Sequence, residues 1–154
     1  MSTLVIYYSR TGTTKKVGEQ IAQQLDCDRE EIFDTKSRGG PIGYLLALIA
    51  AGRKRLTELK PIRNNPSAYD LVVIGTPTWS LKMSVPIRTY IEMYKNKFGD
   101  VAFFLTCGGN PGKTFEEMET ICGKRPKARL MLEKKDFKGG SDGKKIQDFV
   151  NRLK

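Results

Sequence analysis

Histidine is absent from this chain of 154 residues, and cysteine is rare. The three cysteines, Cys27, Cys107 and Cys122, are odd in number and lie far apart. A zinc site needs clustered Cys and His ligands, so we expect no metal centre and only reduced thiols. The commonest general base at neutral pH is missing as well. Redox chemistry performed by a bound cofactor does not need such a base.

Long apolar runs are also absent. The longest run, Pro41 to Gly52, is shorter than the roughly 20 residues that cross a bilayer. The chain starts without the charged region and cleavage site of a signal peptide. We therefore expect a cytoplasmic protein, and the length predicts one domain over residues 1–154.

Acidic side chains are too few to balance the basic ones, 17 against 27, so the net charge is +10. The basic residues concentrate at 53–55 and between Lys124 and Lys145. A field of this sign favours acidic partners, such as the carboxylates of another protein or a nucleotide. A lysine-rich face that serves only solubility explains the same pattern.

Three unbroken apolar runs predict strands that are buried on both faces, as in a parallel sheet. These runs cover 4–8, 71–74 and 101–105, and two weaker candidates cover 31–33 and 128–132. Helical apolar spacing lies between them, beginning near Val17, Ile87, Phe115 and Ile146. Strands that alternate with helices predict a doubly wound α/β sheet with right-handed crossovers.

The loop after the first predicted strand is rich in hydroxyl groups. It reads Ser9, Arg10, Thr11, Gly12, Thr13 and Thr14, directly before a helix. Amides at a helix N-terminus attract an anion, hydroxyls add hydrogen bonds, and Gly12 allows the backbone to approach closely. Helix capping alone needs only one or two such residues. The loop therefore predicts a phosphate site where open α/β sheets bind ligands, beyond the carboxyl ends of the strands.

The segment 9–14 resembles the FMN-phosphate signature of the flavodoxin family, S/T-x-T-G-x-T, and the resemblance extends over nearly the whole chain. It implies a flavodoxin-like fold of three layers, α/β/α, with a five-stranded parallel sheet in the order 2-1-3-4-5. It also implies FMN as the cofactor and electron transfer as the function.

The loop after the third strand contains the single tryptophan, Trp79, beside Pro77, Thr78 and Ser80. An indole ring among small polar neighbours suits stacking on a planar ligand, although a lone tryptophan is more often part of the core. Flavodoxins use an aromatic residue of the corresponding loop to cover one face of the flavin. The resemblance therefore implies that these four residues contact the ring.

The loop after the fourth strand comprises Thr106, Cys107, Gly108, Gly109 and Asn110. Its backbone amides suit hydrogen bonds to flavin carbonyls, and its glycines remove side chains that would block the approach. Family members often place a second aromatic residue here, which this chain lacks between 106 and 113. The second flavin face is then either open or covered by 44–49. Cys107 has no His beside it in the sequence, and we interpret it as a bystander thiol.

The same loop has a second interpretation, because residues 108–114 end in Gly-Lys-Thr like a P-loop. The first glycine of the motif G-x-x-x-x-G-K-S/T would fall at Cys107, however. No predicted strand ends in an aspartate suited to hold magnesium. The sequence therefore disfavours a nucleoside-triphosphate enzyme.

Two functions remain open for an FMN protein of this kind. A small chain without a nicotinamide-binding motif favours an electron carrier, whose partners would be acidic proteins such as a ferredoxin-like protein or a reductase. A flavin face without its aromatic cover favours an FMN-dependent oxidoreductase acting on quinones or other small acceptors with NAD(P)H. A flavin-free module is a third class. We expect no nucleic-acid or membrane partner, and a monomer or weak dimer.

The apolar segment 40–52 and the basic residues after it predict a further helix. Packing against the core is the ordinary role for such a helix, with its basic end placed to complement the helix dipole. A cover for the flavin, a dimer contact and a membrane-surface contact are the alternatives.

Overall fold

The computed structural model describes residues 1–35 and 56–154. The strands in these ranges are β1 (Thr3–Tyr7), β2 (Asp28–Glu31), β3 (Leu71–Trp79), β4 (Lys82–Met83), β5 (Asp100–Cys107) and β6 (Arg129–Glu133). The helices are α1 (Thr13–Leu25), α2 (Val85–Tyr94), α3 (Thr114–Cys122), α4 (Lys134–Gly139) and α5 (Asp142–Leu153). The predicted helix at 40–52 lies outside the described residues. None of the described helices is both long and apolar enough to cross a membrane.

Five parallel strands form the sheet in the order β2-β1-β3-β5-β6. This arrangement confirms the predicted doubly wound sheet and its order, since β4 only adds a short antiparallel pair to the end of β3. The chain leaves β1 toward β2 on one side and returns to β3 on the other. Such a reversal opens a crevice at the carboxyl ends of the central strands.

The central strands are buried on both faces, which is why their sequences are continuous apolar runs. Successive side chains point to opposite faces. Val72 and Ile74 of β3 therefore join one core with α2 and α3. Leu71 and Val73 of the same strand join a second core with α1 and α5. The sheet thus separates two helical layers and presents its carboxyl edge to solvent.

The expectation of a strand at 31–33 is wrong by a few residues, because β2 ends at Glu31. This strand pairs with β1 alone, from Leu4–Asp28 to Tyr7–Glu31, and its four residues are polar. Ile32, just past its end, joins the hydrophobic core, and the buried residue within the strand, Glu30, is charged. A strand with so few buried apolar residues leaves no apolar run in the sequence. The apolar pattern therefore identified the residues at the end of β2 and not the strand itself.

Gly75 of β3 lies directly opposite Phe104 of β5, and a methyl group added there would overlap the buried ring. We expect Gly75→Ala to lower the free energy of unfolding by about 1–3 kcal/mol through overpacking. Gly143 is the matched control, because it lies in α5 with nothing within 4 Å of an added methyl. Gly143→Ala should leave stability unchanged or raise it by up to about 1 kcal/mol. Urea unfolding checks both, and equal effects would contradict the tight packing.

Candidate functional site

A cavity of about 850 Å³ opens at the carboxyl edge of the sheet. Its walls come from the loop after β1, the end of β3, the end of β5 and the helix after β6. Four strand ends therefore contribute to one site. The predicted loops 9–14, 76–80 and 106–110 all lie around it, although four of their candidate residues, Ser9, Ser80, Gly109 and Asn110, do not line it.

The first wall is the start of α1, which has the form of an anion cradle. Gly12 occupies the N-cap with φ of +103°, a conformation that side chains disfavour. No side chain caps the helix and its first turn holds no acidic residue. The first amides of a helix lack partners within it, so these N–H groups remain available to an anion.

The four predicted hydroxyls of this loop have different roles. Thr11 and Thr13 are exposed and line the cavity, where they can donate to a ligand. Ser9 instead accepts a hydrogen bond from the amide of Gly12, with 3.0 Å between Oγ and N. Thr14 is buried, and its Oγ1 lies 2.8 Å from Oγ1 of Thr106 in a hydrogen bond. Two hydroxyls therefore lie on the cavity wall, and two hold the cradle in shape.

The end of β3 forms the second wall. Pro77, Thr78 and Trp79 line the cavity. Thr78 has a buried hydroxyl oxygen with no hydrogen-bond partner among the described residues. Buried polar groups are nearly always paired in proteins, so an unpaired hydroxyl on a cavity wall indicates a place for a ligand.

Trp79 is more deeply placed than its predicted role suggests. Its side chain is only 2% exposed, and its ring meets Tyr8 edge to face, with 5.4 Å between centroids. The indole belongs to one of the two cores while it also contributes to the cavity wall. The structure therefore gives it the core role that is the commoner one for a lone tryptophan, and its small exposed area leaves little surface for stacking on a ligand.

A tight turn follows Trp79. Ser80 and Leu81 join β3 to β4 with φ of +48° and +63°. Two-residue hairpin turns of this type prefer asparagine and glycine, so these residues hold the backbone in a strained conformation. Gly112 packs against the backbone and Cβ of Leu81 so closely that no other residue fits there. The turn is thus fixed against the loop after β5.

The third wall is the end of β5, with Thr106, Cys107 and Gly108 on the cavity. Asn110 turns the chain instead, since its side-chain oxygen accepts from the amide of Gly112 at 2.9 Å. Burial, followed by the carboxylate of Glu133, raises the pKa of the Cys107 thiol. A protonated thiol is a weak nucleophile, which agrees with a bystander role.

The fourth wall, which the sequence reasoning missed, is the short helix α4. Lys134, Phe137 and Lys138 line the cavity from this helix, and Lys16 joins them from α1. Phe137 supplies an aromatic ring that the loop at 106–113 lacks. The sequence did contain a signal for them. Open α/β sheets bind ligands beyond the carboxyl ends of their strands, and these residues directly follow the fifth predicted strand. A six-residue helix is too short to show apolar periodicity, so the pattern gave no sign of it.

Asp136 anchors α4 from its inner side. Its side chain is buried, 2.8 Å from Nζ of Lys145, and it accepts from the Ser141 hydroxyl and from the amide of Glu133 at 2.8 Å each. Ser141 occupies the N-cap of α5, but its hydroxyl donates to Asp136 instead of capping the helix. The network ties the cavity-lining helix to α5.

No group of His, Cys, Asp and Glu in the described ranges could hold a metal ion. Fold and cavity together define a doubly wound α/β protein whose site begins with an anion cradle and continues along the strand ends beside aromatic side chains.

No protein-family model and no curated protein sequence matches the chain. Solved structures do match it. A flavoprotein from Lactobacillus acidophilus NCFM, solved in complex with FMN, is 27% identical with a TM-score of 0.73 over 91% of this chain and 98% of its own. A flavodoxin from the domain Archaea is 17% identical with a TM-score of 0.54, covering 99% of both chains. An apo NADH:FMN oxidoreductase is 12% identical with a TM-score of 0.60, over 99% and 89%. The chain therefore has the flavodoxin-like fold.

The Asp136 network should make stability depend on pH. The hydrogen bond from Lys145, followed by that from the Glu133 amide, lowers the pKa of Asp136 from 3.8 to about 2. A lowered pKa stabilises the folded state above the unfolded value, so this contribution is complete above about pH 4 and disappears as pH falls through 2. We expect Asp136→Asn to lower the free energy of unfolding by about 1–3 kcal/mol at pH 6.

Urea unfolding between pH 2 and pH 6 measures this difference, which should shrink below pH 4. Asp148→Asn is the control, because Asp148 is exposed and its one ion pair within the described residues is with Lys144, at 3.7 Å. Its effect should stay within about 0.5 kcal/mol throughout. A difference between wild type and Asp136→Asn that is constant with pH would show that the carboxylate charge is not the stabilising feature.

Proposed function

We propose that this protein binds one FMN in the cavity at the carboxyl edge of the sheet and transfers electrons through it. The observation that supports this most is the unpaired, buried hydroxyl of Thr78, which shares one cavity with an uncapped helix N-terminus. A ligand with an anionic end and a polar, planar end matches both features. The flavoprotein that was solved with FMN shares this fold over nearly its whole length.

The residues present fit such a ligand. The amides of Thr13 and Thr14 and the hydroxyls of Thr11 and Thr13 would hold the phosphate, while the Gly12 amide is already bonded to Ser9. Thr78 and the backbone at 106–108 would donate to the ring, and the aromatic side chains of Trp79 and Phe137 on the cavity wall would contact it. FMN, when bound, supplies the electron chemistry, so the task of the chain is to orient the cofactor and exclude water.

Trp79 contacts the ring in this proposal, but its burial limits the area of the indole that is available for stacking. Since the indole is 2% exposed, stacking over its full face requires that the groups covering it move. Phe137 is only half-buried and needs no such movement. We therefore propose Phe137 as the aromatic side chain that meets the ligand first.

The first test of the proposed function is the cofactor itself. Protein purified without added cofactor should be yellow, or should bind added FMN with quenching of flavin fluorescence. Colourless protein that fails to bind FMN would support a flavin-free module instead.

Thr78→Val tests whether the Thr78 hydroxyl binds the cofactor, because this substitution removes the hydroxyl and keeps the shape of the side chain. We expect FMN to bind about fivefold more weakly, through loss of one hydrogen bond. The free energy of unfolding of the cofactor-free protein should stay the same or rise, since a buried polar group without a partner is removed. Thr120→Val is the control, because its hydroxyl is exposed and bonds the carbonyl of Glu116 away from the cavity. Unchanged FMN affinity in Thr78→Val would remove this hydroxyl from the site.

Electron carrier is the first proposal for the activity, with acidic redox proteins of the cytoplasm as partners. The net charge of +10 supports this choice, because a basic surface attracts acidic proteins over a distance. The second candidate is an oxidoreductase that acts on small acceptors, which the similarity in fold to an NADH:FMN oxidoreductase supports.

Kinetics separate these two activities. For a carrier, we expect slow turnover with NADH or NADPH and a quinone. Electron exchange with an acidic ferredoxin-like protein should be fast and should slow as salt rises, because salt screens charges over about 8 Å at physiological strength. Rapid turnover with a nicotinamide and a quinone would identify an oxidoreductase, and electron exchange that ignores salt would contradict the acidic partner.

A further inference from the structure

Three lysines line the cavity without a counter-charge. Lys16, Lys134 and Lys138 contribute to its wall, and none of the aspartates and glutamates in the described residues lines it. Asp136 is close in sequence, but its carboxylate is occupied by Lys145 and Ser141. The cavity therefore holds excess positive charge.

Neighbouring lysines of the same region do have acidic partners. Lys135 lies 3.5 Å from Glu133, and Lys144 lies 3.7 Å from Asp148. Lys134 and Lys138 have no carboxylate within 4.0 Å among the described residues. They also stand four positions apart on one helix, where like charges repel by a few tenths of a kcal/mol. Charges that are left unpaired and adjacent on a cavity wall favour an anionic ligand.

The register of the sheet brings these lysines close to the anion cradle. Thr14 of the cradle touches Thr106 at the end of β5. Thr106 pairs with Leu132 on β6, and Cys107 pairs with Glu133. Lys134 is the next residue, so α4 begins one strand spacing, about 4.8 Å, to the side of Thr106 and two residues, about 3.3 Å each, further along, which places it about 8 Å from the point where the cradle meets the sheet. A lysine side chain covers most of that distance.

The resulting charge exceeds what a neutral cradle of hydroxyls and amides provides. A phosphomonoester carries about −1.5 to −2 at neutral pH. The start of α1 contributes about +0.5, and three lysines add three positive charges. The site thus compensates the whole charge of a phosphate group.

We propose that Lys134 and Lys138 of α4, together with Lys16, form the cationic half of the phosphate site and select a phosphorylated ligand over an uncharged one by charge. This inference rests on the proposed FMN function and adds specificity residues that lie outside the loop at 9–14. The ligand class is a phosphate ester, and α4 is the element that recognises its charge.

The double variant K134Q/K138Q tests this assignment against two ligands that differ only in the phosphate, FMN and riboflavin. We expect FMN to bind about tenfold more weakly, since each partly exposed pair contributes up to about 1 kcal/mol. Riboflavin affinity should change less than twofold. The control variant K135Q/K144Q removes the same net charge from lysines that point elsewhere, and it should change neither affinity by more than about twofold.

Three outcomes would overturn the proposal. FMN and riboflavin could weaken equally, which would make α4 a support for the ring. FMN affinity could stay unchanged. The control variant could lose as much FMN affinity as K134Q/K138Q, which would make the effect one of net charge. Circular dichroism and urea unfolding of each variant verify that it is folded.

A separate measurement keeps this inference apart from the proposed function. If the wild-type protein binds neither flavin, the proposed function fails, and calorimetry with inorganic pyrophosphate then tests the cation site alone. Pyrophosphate binding that weakens in K134Q/K138Q but not in K135Q/K144Q would support the site. Absence of pyrophosphate binding by such a protein would overturn it.

Discussion

A buried hydrogen bond between the hydroxyls of Thr14 and Thr106 joins the first turn of α1 to the end of β5, and the site depends on it. This contact decides where the free amides of α1 point relative to the strand ends. Without it, the cradle would keep its connection to β1, the packing of the helix and the internal hydrogen bond from the Gly12 amide to Ser9. With it, the cradle, the β5 loop and the start of α4 lie around one cavity.

Charge in this protein matters through its placement more than its total. The net charge of +10 describes the whole chain, yet several lysines near the carboxyl terminus are neutralised by nearby carboxylates. The lysines on the cavity wall have no such partner in the described part of the chain. Asp136 contributes to this difference in two ways. Its carboxylate pairs with Lys145 and so does not neutralise Lys134 or Lys138. It also holds their helix in place through the amide of Glu133.

The wall at the end of β3 combines strain with unmet hydrogen bonding. Ser80 and Leu81 hold positive φ angles without being glycine, and the hydroxyl of Thr78 is buried without a partner. Each feature costs free energy in a protein without ligand. Their occurrence within four residues, 78–81, at the end of β3 and in the turn that follows it, is typical of a site arranged for binding instead of maximal stability.

The sequence by itself determined the layered sheet, because strands such as 71–74 must be continuously apolar when helices cover both faces. It also predicted an anion-binding loop before α1, since hydroxyls and glycine before a helix are a local pattern. Only the tertiary structure decided that Trp79 is largely covered and that Lys134, Phe137 and Lys138 form the fourth wall. Those facts depend on which strand ends become neighbours and how their side chains pack, and contacts between residues so distant in sequence leave no periodicity to detect.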